Sequence, residues 1–565
     1  MKVLTLLLLL HLPMMLTAQE KVFYNARIFT ADNQHSFAEA IAISGKKITS
    51  VGRYDEVKKT VGAAAEWINC YGRFLMPGLI DSHIHAIGGG LGLTKANVSD
   101  KLLTINDLVA YAKSVVRKKE GFTGDVLVIF GINISTWSHL DEIILKFNSD
   151  EFALQPVVLK GSDGHTLWAN NVMMKRAGLD KEFILTLKPE DRIYYGIDKD
   201  DEPNGFLSES GQGKIRSVIP KDADYHKAAE KAMDYCNRHG ITSILDPSAG
   251  NTGSQQQEIL EAYTWLIKTG KLTAHVAGTI VSDVDADLKT QINSVKALQK
   301  NYNGENLTII GCKVFADGVI EHPTHTAALS LPYVGTSSAG VLMFDPKKFI
   351  RFAIEADKQD LVVHVHAIGD RAVTETLNGF DAVRKANGNQ AIPHTITHLQ
   401  IVQPTDFDRF EKLNVLAAYQ LLWAFGDVTT IDIVKPYIHP SLYQWQYPAR
   451  SLLQAGATIG GASDWPVTSA NPFEAMYFAE TRLGPKGVLD STQCMPRMPM
   501  LYAYTINAAK VMRAEKNVGS LEPGKFADLI LLDRDLLTVT PAAMKSTRVL
   551  WTMFEGKMVY KASLK

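Results

Sequence analysis

Cysteine is scarce in this chain: Cys70, Cys236, Cys312 and Cys494 are the four in 565 residues, and no two are spaced C-x-x-C. That excludes a zinc-knuckle or thioredoxin-type motif and leaves isolated buried thiols as the plain reading, although an oxidising compartment would permit a bridge. An excess of one charge is missing as well. Lys and Arg number 59 against 60 Asp and Glu, a formal net charge of -1, so nothing draws the protein toward nucleic acid or an acidic membrane surface. No glycine-rich G-x-G-x-x-G turn follows an apolar run, which argues against a dinucleotide-binding doubly wound sheet. Internal repeats, low-complexity tracts and charge blocks are also absent.

What remains is an ordinary globular composition, 46% hydrophobic and 21% charged, in a chain long enough for about two to four domains. The first residues, MKVLTLLLLLHLPMMLTAQEK, combine an early Lys2, an apolar stretch interrupted by His11 and Pro13, and the small Ala18. This is the layout of a signal peptide over 1–18, too short and too interrupted for the ~20 apolar residues of a membrane span. No later run is long enough to span. The expectation is a protein exported to the periplasm and free of the membrane after cleavage.

The two ends of the mature chain are rich in β pattern. KVFYNARIFT and EAIAISGKKITSVG near the start, and ADLILLD and VLWTMFEGKMVYK near the end, read as short strands, the last with a turn at Gly556 and Lys557. Between them, short apolar runs alternate with stretches of helical spacing, the signature of parallel β/α units. Eight strand candidates fall at 74–85, 156–165, 241–246, 309–318, 361–370, 394–400, 415–421 and 457–466. The expected fold is therefore α/β, a (β/α)8 TIM barrel over 73–510 enlarged by insertions at about 86–240, with a small β-sandwich built from 19–72 and 511–565.

Polar side chains that can bind metal recur at the C-terminal ends of these runs, the face on which barrels build active sites: His83, His85, Lys313, Asp317, His366, His398 and Asp464. Residues i and i+2 of a strand share a face, so His83 and His85 can point into one barrel mouth, and converging imidazoles suit a zinc-type ion. The same rule leaves His364 beside His366, and His394 lies one turn of the pattern before His398; the later member of each pair is preferred because it lies nearer the open end. Each histidine alone reads as readily as a satisfied core residue. Three imidazole strands and one carboxylate strand in one orientation point to a metal site.

These residues resemble a known family, the metal-dependent amidohydrolases, and within it the amidohydrolase 3 branch of YtcJ-like proteins and N-substituted formamide deformylases. The resemblance covers the mature chain and rests on MPGLIDSHIHA, GSDGHTLWANN, NGFLSES, KVFADG, HAIGDRAV, THLQIVQP, GASDWPVTSANP and GSLEPGKFADLILLD. It implies that His83, His85 and Asp464 bind one metal, usually zinc, and that His366 and His398 complete a site for one or two ions. Lys313 matches a lysine that is carboxylated in many relatives and bridges two metals. A plain ammonium would repel the cations, so Lys313 must be neutral or modified. Asp464 is the expected proton carrier, and His165, Trp168, Asp317 and Gln420 the expected substrate-side groups.

The implied reaction is hydrolysis of a non-peptide carbon–nitrogen bond, of N-formyl or N-acyl amine type, in a small-molecule amide, with no nucleic-acid partner and room for a homo-oligomer. An esterase or lactonase on the same metal chemistry, and a non-catalytic small-molecule binding protein on the same fold, are the competing readings. Departures from the family pattern cluster round the pocket. After KVFADG this chain offers His322 and His325 where relatives often carry an arginine, Thr397 stands where they usually carry glutamate, and no proline follows Gln420.

Overall fold

In the computed structural model, residues 19–220, 223–388 and 392–563 are described; the expected signal peptide lies outside them. Eight parallel strands form the central sheet: β1 (Leu79–Asp81), β2 (Ile241–Asn251), β3 (His275–Val281), β4 (Leu307–Phe315), β5 (Val362–Ala367), β6 (His394–His398), β7 (Val415–Tyr419) and β8 (Ile459–Gly461), in that spatial order. The barrel is nearly closed: no ladder joins β8 to β1, but Ser82 N donates to the Gly461 carbonyl at 3.0 Å, and the Ser82 hydroxyl donates to the same oxygen at 2.8 Å. Apolar residues fill the strands almost continuously, as in a sheet covered on both faces. Several crossover helices start on an aspartate cap, with Asp224, Asp287 and Asp345 accepting from the N–H three residues on, which satisfies a donor the helix itself cannot pair.

Seven of the eight expected strands are barrel strands, and one is not. The run at 156–165 forms Val157–Gly161, which belongs to a separate seven-stranded sheet spanning residues 96–208, inside the expected insertion. That sheet has its own core, including Trp137, Phe147 and Trp168. The strand that takes its place in the barrel is β3, HVAGTIV, whose histidine and glycine interrupt the apolar run. A short run of Val and Leu buried in an insertion looks the same in sequence as one buried in a barrel, because both are covered on two faces.

The chain ends do meet. Strands from 21–77 and 529–561 make one seven-stranded sheet, in which Lys21–Phe29 pairs parallel to Glu66–Pro77, and Leu529–Leu532 pairs antiparallel to the other side of it. In place of two separate stacked sheets, this single sheet rolls until its outer parts touch: Lys47 bridges Phe526, and the rings of Phe23 and Trp551 lie 5.4 Å apart although two strands separate theirs. No helix among the described residues is long and apolar enough to cross a membrane.

Candidate metal centre and active site

The site begins where β1 ends. Asp81 Oδ1 accepts from His83 N at 3.2 Å and from Ser463 N at 3.0 Å, so one buried carboxylate ties the exit of the first strand to the exit of the last. Two backbone bonds continue the clasp, Asp464 N to His83 O at 2.8 Å and His85 N to Trp465 O at 2.9 Å. His83 and His85 therefore lie beyond the strand, and His85 is the N-cap of helix Ala86–Thr94. They converge through this turn and not through strand alternation.

Asp464 sits at φ +57° and His398 at φ +77°, the left-handed region that L-residues other than glycine enter at a cost, and such strain concentrates at functional sites. With that backbone, Asp464 Oδ1 comes to 3.4 Å from His83 Nε2 and 3.2 Å from His85 Nε2, while Oδ2 lies 3.9 Å from His398 Nδ1. The ligand atoms of His83, His85 and Asp464 all lie within 4.8 Å of one another. The rings of His366 and His398 are 4.4 Å apart, edge to face, and complete the rim.

Electrostatics prepares these groups to bind a cation. Burial, reinforced by neighbouring positive groups, holds His83, His366 and His398 well below the ordinary histidine value, so they are neutral at pH 7, the state that offers a lone pair. Burial alone would raise the Asp464 carboxyl, but His85, His398 and Lys313 outweigh it and keep Asp464 ionised. Lys313, on β4, is pulled down to about 7 by burial, so its uncharged form is accessible near neutral pH.

The donor set passes a direct test for a metal. Asp464 Oδ1 is buried and accepts no hydrogen bond, yet it faces two imidazole nitrogens. Two imidazole nitrogens converging on one buried carboxylate oxygen, none of them in an aligned hydrogen bond with it, form a donor set suited to zinc.

The other expected site residues divide. His165 lines the cleft over the centre, its ring 5.3 Å from that of His366, and its Nδ1 pairs with Glu209 Oε2 at 2.8 Å. Burial lowers its pKa, but Glu209, Asp163 and Asp464 more than offset this and lift His165 to about 9, so it is a cation at neutral pH. Gln420 lies one step behind the site: its Oε1 is 3.2 Å from His398 Nδ1, and its amide donates to Thr397 Oγ1 at 3.1 Å. Asp317 is fully buried and turned into its own loop, where it accepts from the backbone of Ala328, Ile368 and Gly369 at 2.8 to 2.9 Å. Trp168 is also fully buried, in the core of the insertion, with its indole N–H donating to Asn204 O at 3.0 Å. Neither borders the cleft: Trp168 faces the insertion core from its strand, and Asp317, two residues past the end of β4, is held by three backbone N–H groups.

From sequence, His364 is weighed and set aside in favour of His366, although its Nε2 lies 2.7 Å from His83 Nδ1, and Glu209 is not singled out. The i, i+2 relation of His364 to His366 and the conspicuous NGFLSES run were the available signals.

A nearly closed parallel barrel with an imidazole–carboxylate group at the C-terminal ends of its strands defines a metal-dependent hydrolase. The family model described as "Amidohydrolase family" matches residues 66–560, and the chain belongs to that family. It is 28% identical over 561 residues to Protein LONG AFTER FAR-RED 3 of Arabidopsis thaliana, covering 95% of this chain and 91% of that protein. It is 24% identical over 562 residues to N-substituted formamide deformylase of Arthrobacter pascens, covering 96% and 98%. Among solved structures, an uncharacterized metal-dependent hydrolase from Pyrococcus horikoshii OT3 superposes with a TM-score of 0.69 at 24% identity, over 93% of this chain and 99% of that one.

Proposed function

We propose that this protein hydrolyses the carbon–nitrogen bond of a small non-peptide amide, of N-formyl or N-acyl amine type, with zinc held by His83, His85 and Asp464 and the rim completed by His366 and His398. The observation that carries the reading is the buried Asp464 Oδ1 facing the Nε2 atoms of His83 and His85 at 3.4 and 3.2 Å, with no aligned hydrogen bond to either. When bound, zinc would supply a nucleophile at neutral pH and Lewis-acid polarisation of a carbonyl.

The chain's own groups do the rest. Asp464, kept ionised, takes a proton from the attacking water and returns it to the leaving nitrogen, which needs it more than an alkoxide would. His165 presents a positive charge from the opposite wall, where negative charge builds on the carbonyl oxygen. The uncharged fraction of Lys313 avoids repelling a cation and is the form that can be carboxylated.

Purified protein should carry stoichiometric metal and cleave an amide from a panel of matched N-acyl amines and esters; chelation should abolish turnover and zinc restore it. Asp464→Asn should cost about 10²–10⁴-fold in kcat. A protein that holds no metal, and cleaves neither series with zinc added, would sink the proposal.

A further inference from the structure

Two compartments open on the metal centre, and they differ in charge. A cleft of about 660 Å³ reaches toward the insertion and is bordered by Lys160 and Arg216. A second, of about 190 Å³, runs under the segment after β7 and is bordered by Asp100, Glu321 and Asp427 with the rings of Trp423 and Phe425. Ser162, Asp163, His165, His366, His398 and Asp464 border both, so the candidate centre is the junction.

Neither Lys160 nor Arg216 is in an ion pair among the described residues. The Arg216 guanidinium donates to Gln212 Oε1 at 2.6 Å and to Gly164 O at 3.4 Å, and Lys160 Nζ lies 4.9 Å from the centre of the Phe130 ring. Burial, with Arg216 adding to it, lowers Lys160 to about 8. Of the carboxylates on this side, Glu209 is engaged by His165, and Asp163 and Asp464 lie on the divide shared with the second compartment.

The second compartment has the opposite imbalance, since no lysine or arginine borders it. Asp100 accepts from Ser162 Oγ at 2.6 Å and Asn133 Nδ2 at 3.0 Å, Asp427 caps the turn at Thr430, and the Glu321 carboxyl faces the backbone N–H groups of Ile320 and Glu321. On the divide, Asp163 Oδ2 is shielded from solvent without a partner. Burial, augmented by the neighbouring carboxylates, raises Asp100 to about 6 and Glu321 to about 7. Among the described residues these carboxylates are not close enough to share one ion, so the compartment is not arranged round a metal. The one cation at its edge among the described residues, His165, is engaged by Glu209, so the three carboxylates beyond it outnumber the positive charge; shielded like charges are unfavourable until a ligand supplies the opposite charge, and aromatic faces add to the attraction for a cation.

We infer that the substrate is dipolar: an amide with an anionic group that enters beside Lys160 and Arg216, and a cationic group that enters beside Asp100, Glu321 and Asp427. The scissile bond lies between them at the metal centre. This rests on the amide-hydrolase reading and names its substrate class.

The test uses the zinc-loaded full chain and two dipolar amides of opposite polarity. N-succinylcadaverine carries the anion on its acyl side, and N-(6-aminohexanoyl)-4-aminobutanoate carries it on the amine side; N-butanoylpentylamine is the uncharged comparator. Binding is measured first by calorimetry, independently of turnover. One dipolar amide should bind, and if cleaved react, on the order of 100-fold better than the uncharged amide, about tenfold for each charge. Arg216→Gln and Glu321→Gln should each lower that ratio about tenfold, the first when the anion is present and the second when the cation is present. Equal binding of all three, or ratios within about threefold in both variants, would overturn the inference. Selective binding of a dipolar amide without cleavage of any amide would retain the inference about charge and remove the hydrolase reading.

Discussion

His165 couples this site to pH. Its value of about 9 lies above the ordinary ~6.5 of an unfolded chain, so the His165–Glu209 pair stabilises the folded protein in full below pH ~6.5, and that contribution fades as pH rises through 9. If the cation also steadies the carbonyl oxygen, the rate should fall on the alkaline side near pH 9. Glu209→Gln should move that limb roughly two units toward ~6.5, with an NMR titration of His165 moving in step. A limb that stays at 9 in the variant would remove His165 as its source. Of the residues singled out from sequence, His83, His85, His366, His398, Asp464 and His165 border one cleft, while Trp168 and Asp317 are turned into packed interiors. The inward turn of those two depends on which face of each local element is covered, which neighbouring residues in the chain do not specify.

The element that delivers His85 is helix Ala86–Thr94, and its glycines are its packing surface. A Cβ on Gly90 would stand 2.0 Å from the Ala228 carbonyl of helix Tyr225–Arg238, and one on Gly89 would stand 2.4 Å from the Trp465 ring. Backbone cannot yield as a flexible side chain can, so Gly90→Ala should push the helix outward at a cost of about 1–3 kcal/mol. Thermal unfolding should show a lower Tm, and metal titration weaker binding, because His85 moves with the helix it caps; an unchanged affinity would mean that the turn alone positions His85. Parallel register does comparable positioning elsewhere, setting Lys313 beside His364 and Phe315 beside His366.

For the whole molecule, the rolled sheet of the chain ends is continuous with the barrel. Glu66–Pro77 runs almost directly into β1, Gly78 N donates to Asp528 O at 2.9 Å, and the Thr552 hydroxyl donates to Asn237 O at 2.7 Å across the junction. Removing residues 549–561 would strip two strands and uncover Ile530 and the apolar side of helix Tyr225–Arg238. The truncated chain should be aggregation-prone and lose the barrel's thermal transition as well as its own; a soluble product with a native barrel transition would show that the sheet is a separable appendage.

The sequence by itself determined the class of fold and the chemical identity of the site. Alternating apolar runs and helical stretches call for a parallel barrel, and only imidazoles and a carboxylate at the ends of those runs suit a divalent metal. Local pattern registers burial without recording what does the burying, and so the run at 157–161 passed for a barrel strand while His275–Val281 went unseen. Only the tertiary structure decided that Asp464 Oδ1 faces His83 and His85 without a partner, that His165 is held as a cation by Glu209, and that the cleft carries opposite charges on its two sides. Each of these depends on distances between side chains far apart in the chain, and electrostatic energy in a shielded site is set by those distances.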